Sequence, residues 1–165
     1  MKWGMFIPMK GGLYLLTELL TKDTIQLANF VNTWQEAIHL AASPLLKNNK
    51  IEERYIKAMI HSIEKHGPYV VITPKVAIPH ARHTEGVNEL SMSLLSLQKP
   101  VLFGPEKPVF LIIVLAATDN VSHLQALVDL TKILQEPNQI DSIIACQHKD
   151  NIIKEIQQIV AKEQS

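Results

Sequence analysis

The chain has 165 residues, which is enough for one domain with a substantial buried core. Its 47% hydrophobic and 19% charged residues are typical of a globular protein and exclude a disordered one. The 16 basic residues balance 16 acidic ones, so no strong net charge would draw the chain to nucleic acid or to an anionic membrane.

Cysteine content and hydropathy predict a cytoplasmic protein. Cys146 is the single cysteine and cannot form an internal disulfide, which suits a reducing compartment. No uninterrupted apolar run approaches the ~20 residues that span a bilayer, and no signal cleavage site with small residues is seen. Residues 1–9 lack periodicity, and we interpret them as an N-terminal extension or a tag remnant. Residues 10–165 are expected to form one domain.

The sequence of the first half of the chain predicts three helices and one strand. In chain order the expected elements are a short helix over Leu13–Leu20, a strand over Thr24–Phe30, a helix from Thr33 to about Lys47 and a helix over Glu52–His66. Thr33 and Glu36 match a capping box, in which each side chain binds a free backbone amide at the helix start. Gly67 follows the helix with the clearest apolar stripe. A helix commonly ends at such a glycine, because glycine readily adopts positive φ.

The second half predicts most of a central sheet and a helical C-terminal third. The expected strands are Tyr69–Thr73, Val76–Ile78, Leu90–Leu97 and Val109–Ala117, and the expected helices run from Ser122 through Leu134, over Asn138–Cys146 and over Asp150–Lys162. Val109–Ala117 is a continuous apolar run, typical of a strand covered on both faces. Ser122 and Gln125 form a second capping box, and Leu124 is among the side chains expected to face inward. The predicted fold class is α/β: a single domain with a mixed β-sheet flanked by helices on both faces.

His80 is the first candidate for a catalytic residue. It follows a short apolar strand that ends at Pro79, and strand ends in α/β proteins hold side chains rigidly while leaving them accessible. Neutral imidazole is a nucleophile near neutral pH, because its ordinary pKa is about 6.5, and it can form a covalent intermediate. Arg82 supplies a permanent planar cation, which pairs well with phosphate oxygens.

His123 is the second candidate, since the start of a helix favours anions through its free amides and its dipole. A metal site is an alternative, because His80 and His83 have an H-x-x-H spacing. Zinc needs three or four protein ligands, however, and Cys146 stands apart from this pair. The motifs of nucleotide-binding loops and serine hydrolases are absent from the sequence. A phosphoryl group would therefore have to arrive ready for transfer.

The two histidine segments together resemble a known family. Ala77–Arg82, followed by Glu85–Val87, resembles the active-site motif of the mannitol/fructose-type enzyme IIA proteins. These proteins belong to the bacterial phosphoenolpyruvate-dependent sugar phosphotransferase system (PTS). Ser122–Leu127 resembles their second-histidine segment, and the resemblance runs from about Leu13 to the C-terminus. Three flanking segments are similar to the ascorbate-specific branch, namely Thr33–Ala37, Arg54–Tyr55 and Gly67–Ile72.

The resemblance implies an EIIA type-2 domain that carries a phosphoryl group. Phosphorylated HPr would donate to Nε2 of His80, which would pass the group to a cysteine of a IIB component. That component would phosphorylate ascorbate or a related sugar during import through the membrane component IIC. His123 would stabilise the phosphohistidine or the transition state, and no cofactor or metal would be required.

Two departures from the family pattern matter. The mannitol-type proteins carry an arginine late in the helix before the active-site strands, whereas His61–Glu64 contains none. Arg82 is therefore the candidate for the phosphate-facing cation. His83 stands where the ascorbate branch often has proline, and we expect it to be exposed. A IIA-like regulatory module that controls a transcription factor is the alternative function, and assembly into a homo-oligomer stays open.

Overall fold

The computed structural model describes residues 15–163, in which helices surround a five-stranded sheet. Residues 15–19 are helical; the strands are β1 (Ile25–Ala28), β2 (Val71–Thr73), β3 (Lys75–Ala77), β4 (Ser91–Leu102) and β5 (Pro108–Ala116), and the longer helices are α1 (Trp34–Lys47), α2 (Glu53–His66), α3 (Asn120–Ile133), α4 (Pro137–Ala145) and α5 (Lys149–Glu163). The predicted extension at residues 1–9 and the first two residues of the helix predicted at 13–20 lie outside the described residues. No helix within residues 15–163 has the length and apolar character needed to cross a membrane.

The strands form one mixed sheet in the order β1-β4-β5-β3-β2. β1 is parallel to β4 and β3 is parallel to β5, whereas β4 and β5 are antiparallel, as are β2 and β3. The predicted mixed sheet is confirmed. The short β3 lies beside the long β5, and the chain leaves β3 at Ile78 to enter the segment that contains His80.

Both faces of the sheet are buried under helices. Met92 and Leu94 of β4 pack into the core formed with α3, α4 and α5, whereas Leu95 and Leu97 pack into the core formed with α1 and α2. β5 likewise contributes to both cores, as its unbroken apolar run predicted. Complete burial of one large aliphatic side chain contributes about 1.5–3 kcal/mol, so two such cores hold the sheet firmly between the helices. The predicted α/β class with helices on both faces is confirmed.

The start of α1 was predicted correctly from the sequence, whereas the start of α3 was not. Thr33 caps α1 as expected: its hydroxyl accepts the Glu36 N–H at 3.1 Å, and the Glu36 carboxylate accepts the Asn32 N–H at 2.6 Å. The capping box predicted at Ser122 is wrong. Asp119 caps α3, and its carboxylate accepts the Ser122 N–H at 2.7 Å. A carboxylate binds the free amides and the positive end of a helix more strongly than a neutral hydroxyl does.

The buried face of α3 was predicted only in part. The helix begins at Asn120, two residues before the predicted cap at Ser122. Leu124 was predicted to face inward, but it is 62% exposed. Leu130 and Ile133 are buried, and they anchor α3 against the sheet.

Two glycines between α2 and β4 have positive φ. Gly67 follows α2 with φ +84°, as predicted, and Gly86 has φ +117°. A Cβ on Gly67 would meet no atom within 4 Å. A Cβ on Gly86 would lie 3.0 Å from Arg54 Cγ and 3.3 Å from the Tyr55 nitrogen. Gly86 therefore permits close contact between its own segment and the first turn of α2.

Gly86→Ala is expected to destabilise the protein more than Gly67→Ala. Each substitution forces alanine into a strained backbone conformation that costs about 1–3 kcal/mol, and only Gly86→Ala adds close steric contacts. Urea unfolding of both variants and of the wild-type protein measures the difference. Equal losses of unfolding free energy in the two variants would contradict the close approach at Gly86.

Candidate functional site

Backbone hydrogen bonds hold the chain rigidly up to His80. The Ile78 N–H donates to the Val70 oxygen at 2.9 Å, and the Leu115 N–H of β5 donates to the Pro79 oxygen at 3.1 Å. Both Ile78 and Pro79 are buried, whereas the side chain of His80 is half-buried. The sheet therefore fixes the position of His80 at the protein surface.

The imidazole of His80 makes a hydrogen bond that determines where its proton lies. Nδ1 is 2.7 Å from the backbone oxygen of Ile78. Because a carbonyl oxygen only accepts, this hydrogen bond assigns the proton to Nδ1 and leaves the lone pair on Nε2. Burial lowers the pKa of His80 below its ordinary value, and the hydrogen bond to Ile78 opposes this in part. The ring is therefore held neutral near neutral pH, with Nε2 as its nucleophilic atom.

The structure brings His123 next to His80. Their ring centroids are 4.9 Å apart, and the ring planes are inclined at 58°. His123 is half-buried in the first turn of α3, although the cap of that helix is Asp119 and not the residue before it. Burial lowers the pKa of His123, and so does electrostatic repulsion from His80 and His83 when those rings are protonated. The two candidate histidines, predicted from separate segments, thus converge on one site.

A pocket of about 560 Å³ adjoins these two rings. Five of the 7 histidines of the chain line it, and they are His61, His66, His80, His83 and His123. His61 and His66 lie on the exposed face of α2, and that face forms a wall of the pocket. His83 lies in a 3-10 turn at His83–Glu85 and is half-buried, whereas exposure was expected. The pocket is therefore rich in groups that can donate hydrogen bonds to an anion.

Two cationic side chains border the same pocket. Arg82 is exposed and borders it from the segment after His80, and Lys65 borders it from the last turn of α2. Lys65 was missed as a site residue in the sequence. The available signal was a helical spacing of i, i+3, i+4 and i+7, which places on one face of α2 the residues Ala58, His61, Ser62 and Lys65.

Tyr69 packs against the candidate nucleophile and was also missed. Its ring meets the His80 ring edge to face, with centroids 6.0 Å apart and planes at 90°. Its hydroxyl shares a hydrogen bond with the Ser62 Oγ at 2.8 Å, which ties the ring to α2. Tyr69 lies just before β2, and only the reversal of the chain after Gly67 brings it beside His80.

The part of the chain that the structure describes does not bring together enough protein ligands for a metal site. Within residues 15–163, no three His, Cys, Asp or Glu side chains are arranged to share a metal ion. The pair His80 and His83 therefore has no third protein ligand there, whereas zinc sites use three or four. The described residues place the neutral imidazole of His80 at a pocket that hydrogen-bond donors and two cationic side chains line.

Comparison with known proteins shows similarity to one sequence family. A sequence model of the family described as "Phosphoenolpyruvate-dependent sugar phosphotransferase system, EIIA 2" matches residues 18–159, which include His80 and His123. The ascorbate-specific PTS system EIIA component of Salmonella choleraesuis (strain SC-B67) is 32% identical to this chain over 142 residues. The aligned region covers 84% of this chain and 92% of that protein.

Solved structures have the same fold. The solution structure of the mannitol-specific cryptic phosphotransferase enzyme IIA from Escherichia coli gives a TM-score of 0.80 at 33% identity, over 87% of this chain and 98% of that chain. A second match is to the complex of enzyme IIA for mannitol with phosphorylated enzyme IIB from Escherichia coli. It gives a TM-score of 0.75 at 24% identity, over 85% of this chain and 99% of that chain. The five-stranded sheet covered by helices is therefore a fold that these proteins share.

Stability should fall with pH below about 6.5, the ordinary pKa of histidine. The pKa of His80 and that of His123 are lowered in the folded protein, so the unfolded chain binds more protons in this range. Stability is thus fully present above the unfolded value and is lost as pH falls through the lowered folded values. Urea unfolding between pH 8 and pH 5 measures this slope. The double variant His80→Gln/His123→Gln should show a shallower slope, and an unchanged slope would count against the burial of these rings.

Proposed function

The chain belongs to the EIIA 2 family of the phosphoenolpyruvate-dependent sugar phosphotransferase system, and on that basis we propose that it is a cytoplasmic phosphoryl carrier. His80 receives a phosphoryl group from phosphorylated HPr and passes it to a cysteine of a IIB component. The observation that carries this proposal is the His80 imidazole, whose Nδ1 is bound to Ile78 and which lines a pocket shared with His123.

Transfer to His80 is a displacement at phosphorus. The Nε2 lone pair forms a bond to phosphorus while the bond between phosphorus and its carrier atom on HPr breaks, and that electron pair returns to HPr. The proton stays on Nδ1, where the Ile78 oxygen stabilises the positive charge that the ring acquires. In the onward step a IIB thiolate attacks phosphorus, and the electron pair of the N–P bond returns to Nε2.

The pocket contributes positioning and charge stabilisation. The short distance between the rings lets His123 donate its N–H to a phosphoryl oxygen carried by His80. Arg82 is the proposed phosphate-facing cation, and Lys65 of α2 also borders the pocket. In phosphoryl transfer such groups act by aligning the partners and by stabilising the charge on the three equatorial oxygens. The reaction needs no nucleotide and no cofactor in this chain.

Ascorbate or a related sugar is the proposed cargo of the system. The relative from Salmonella choleraesuis that is named for ascorbate aligns with 84% of this chain. The segments Thr33–Ala37 and Gly67–Ile72 are similar to the same branch. Because the sugar is bound by the membrane component IIC, this chain would recognise proteins, namely HPr as donor and IIB as acceptor.

His80→Ala should abolish labelling by 32P from phosphorylated HPr, because the variant has lost the atom that accepts the group. His123→Ala keeps Nε2 of His80 and should still be labelled, at a rate lower by about 10²–10³-fold, the usual effect of one preorganised donor. Rapid-quench labelling measures both rates. His39→Ala is the control, since His39 is an exposed histidine of α1 outside the pocket. Undiminished labelling of His80→Ala would overturn the proposal.

Arg82→Ala should slow transfer about 10- to 100-fold, because a charge-assisted hydrogen bond to the phosphoryl group is lost. Arg82→Lys should recover only part of this rate, since an ammonium group lacks the planar fork of guanidinium. Lys65→Ala is the parallel variant at the second cationic residue that borders the pocket. If Lys65→Ala slows transfer more than Arg82→Ala does, the phosphate-facing cation is Lys65.

A further inference from the structure

Tyr55 connects the segment around His80 to the sheet through its hydroxyl group. The side chain lies in the first turn of α2 and is fully buried. Its hydroxyl donates to the Leu115 oxygen of β5 at 2.6 Å and accepts the Ala81 N–H at 3.0 Å. Ala81 directly follows His80. The hydroxyl therefore joins the residue after the candidate nucleophile to the neighbouring part of β5.

Leu115 also holds the other side of His80. Its N–H donates to the Pro79 oxygen at 3.1 Å, while its own oxygen accepts the Tyr55 hydroxyl. The two peptide groups that flank His80 are thus both attached to Leu115, one directly and one through Tyr55. Since each peptide group is planar, fixing both leaves the His80 backbone little freedom to rotate.

The hydroxyl must keep its proton to make both contacts. Burial raises the pKa of Tyr55 to about 12, although the hydrogen bond with Ala81 acts in the opposite direction. The group is therefore protonated throughout the physiological range. It can donate to Leu115 and accept from Ala81 at the same time.

We propose that Tyr55 is a positioning residue for His80, acting through Ala81 and Leu115 to hold Nε2 in line for phosphoryl transfer. This inference rests on the proposed transfer at His80. Among the described residues, those that line the pocket do not include Tyr55, so it acts through the backbone of its neighbours and not on the phosphoryl group itself.

The first turn of α2 also binds the segment after His80 through contacts that do not involve the Tyr55 hydroxyl. The Glu52 N–H donates to the Gly86 oxygen at 2.9 Å, and Arg54 Nη1 donates to the Thr84 oxygen at 3.0 Å. Both contacts remain when only the Tyr55 hydroxyl is removed. Removing the hydroxyl should therefore loosen only the part of the segment next to His80.

Tyr55→Phe is the test, because it removes the hydroxyl and keeps the ring. We expect kcat for transfer from phosphorylated HPr to fall about 10- to 100-fold, the range produced by a small displacement of a reacting atom. KM for phosphorylated HPr should change by less than about twofold, since the surface that meets HPr is unaltered. Single-turnover labelling at several HPr concentrations separates the two constants.

Ser93→Ala is the matched control. Ser93 is fully buried, and its hydroxyl donates to the Ala41 oxygen of α1 at 2.6 Å, away from the His80 segment. Both variants are assayed under conditions where urea unfolding shows them folded. A kcat for Tyr55→Phe equal to that of Ser93→Ala would mean that Tyr55 contributes to stability alone, and the positioning role would be wrong.

The nitrogen NMR shifts of the His80 ring provide a readout that a purely structural role would not change. In the wild-type protein and in Ser93→Ala, Nδ1 and Nε2 should show the shifts of the single neutral tautomer with its proton on Nδ1. In Tyr55→Phe the two shifts should move toward each other as the ring exchanges between tautomers. Unchanged shifts in Tyr55→Phe would overturn the inference.

A second variant tests the inference if Tyr55→Phe does not fold. Incorporating lactic acid at position 81 replaces the Ala81 N–H by an ester oxygen and leaves the bond from Tyr55 to Leu115 intact. The same loss of kcat is expected, and a wild-type kcat would overturn the inference. If the wild-type protein accepts no label from HPr, the proposed function fails, whereas the NMR comparison still decides whether Tyr55 positions the ring.

Discussion

The hydrogen bond between His80 Nδ1 and the Ile78 oxygen is the interaction on which the site depends. It places the ring proton on Nδ1 and leaves the lone pair on Nε2. Ile78 can serve as a fixed acceptor because it is fully buried and its own N–H is paired with Val70. The reactivity of an accessible side chain is thus determined by the sheet beneath it.

The two buried faces of the sheet explain why several helices contribute to one site. α2 packs on one face and α3 on the other, and both reach the end of β3 where His80 lies. α2 contributes the pocket wall with Lys65, while the first turn of α3 contributes His123. Neither helix could supply both groups. The pocket therefore requires a sheet that is covered on both sides.

The fold was predicted well from the sequence, and the site was predicted in part. The apolar run of β5 and the strong stripe of α2 indicated buried elements correctly, because burial on a sheet or a helix imposes a fixed spacing. The start of α3 was misplaced because Ser122 and Asp119 are both good caps by residue type, and the carboxylate is favoured. Tyr69 was missed as a pocket residue because its proximity to His80 arises from the path of the chain.

The sequence by itself determined the α/β class and the two histidine segments. These features follow from local patterns: hydrophobic periodicity, a strand that ends in Pro79, and residue types suited to carry a phosphoryl group. Only the tertiary structure decided that the ring proton of His80 lies on Nδ1, that His123 stands beside this ring, and that Tyr55 ties Ala81 to β5. The physical reason is that each of these depends on a hydrogen bond or contact that forms only when the chain folds, and most of the partners are far apart in sequence.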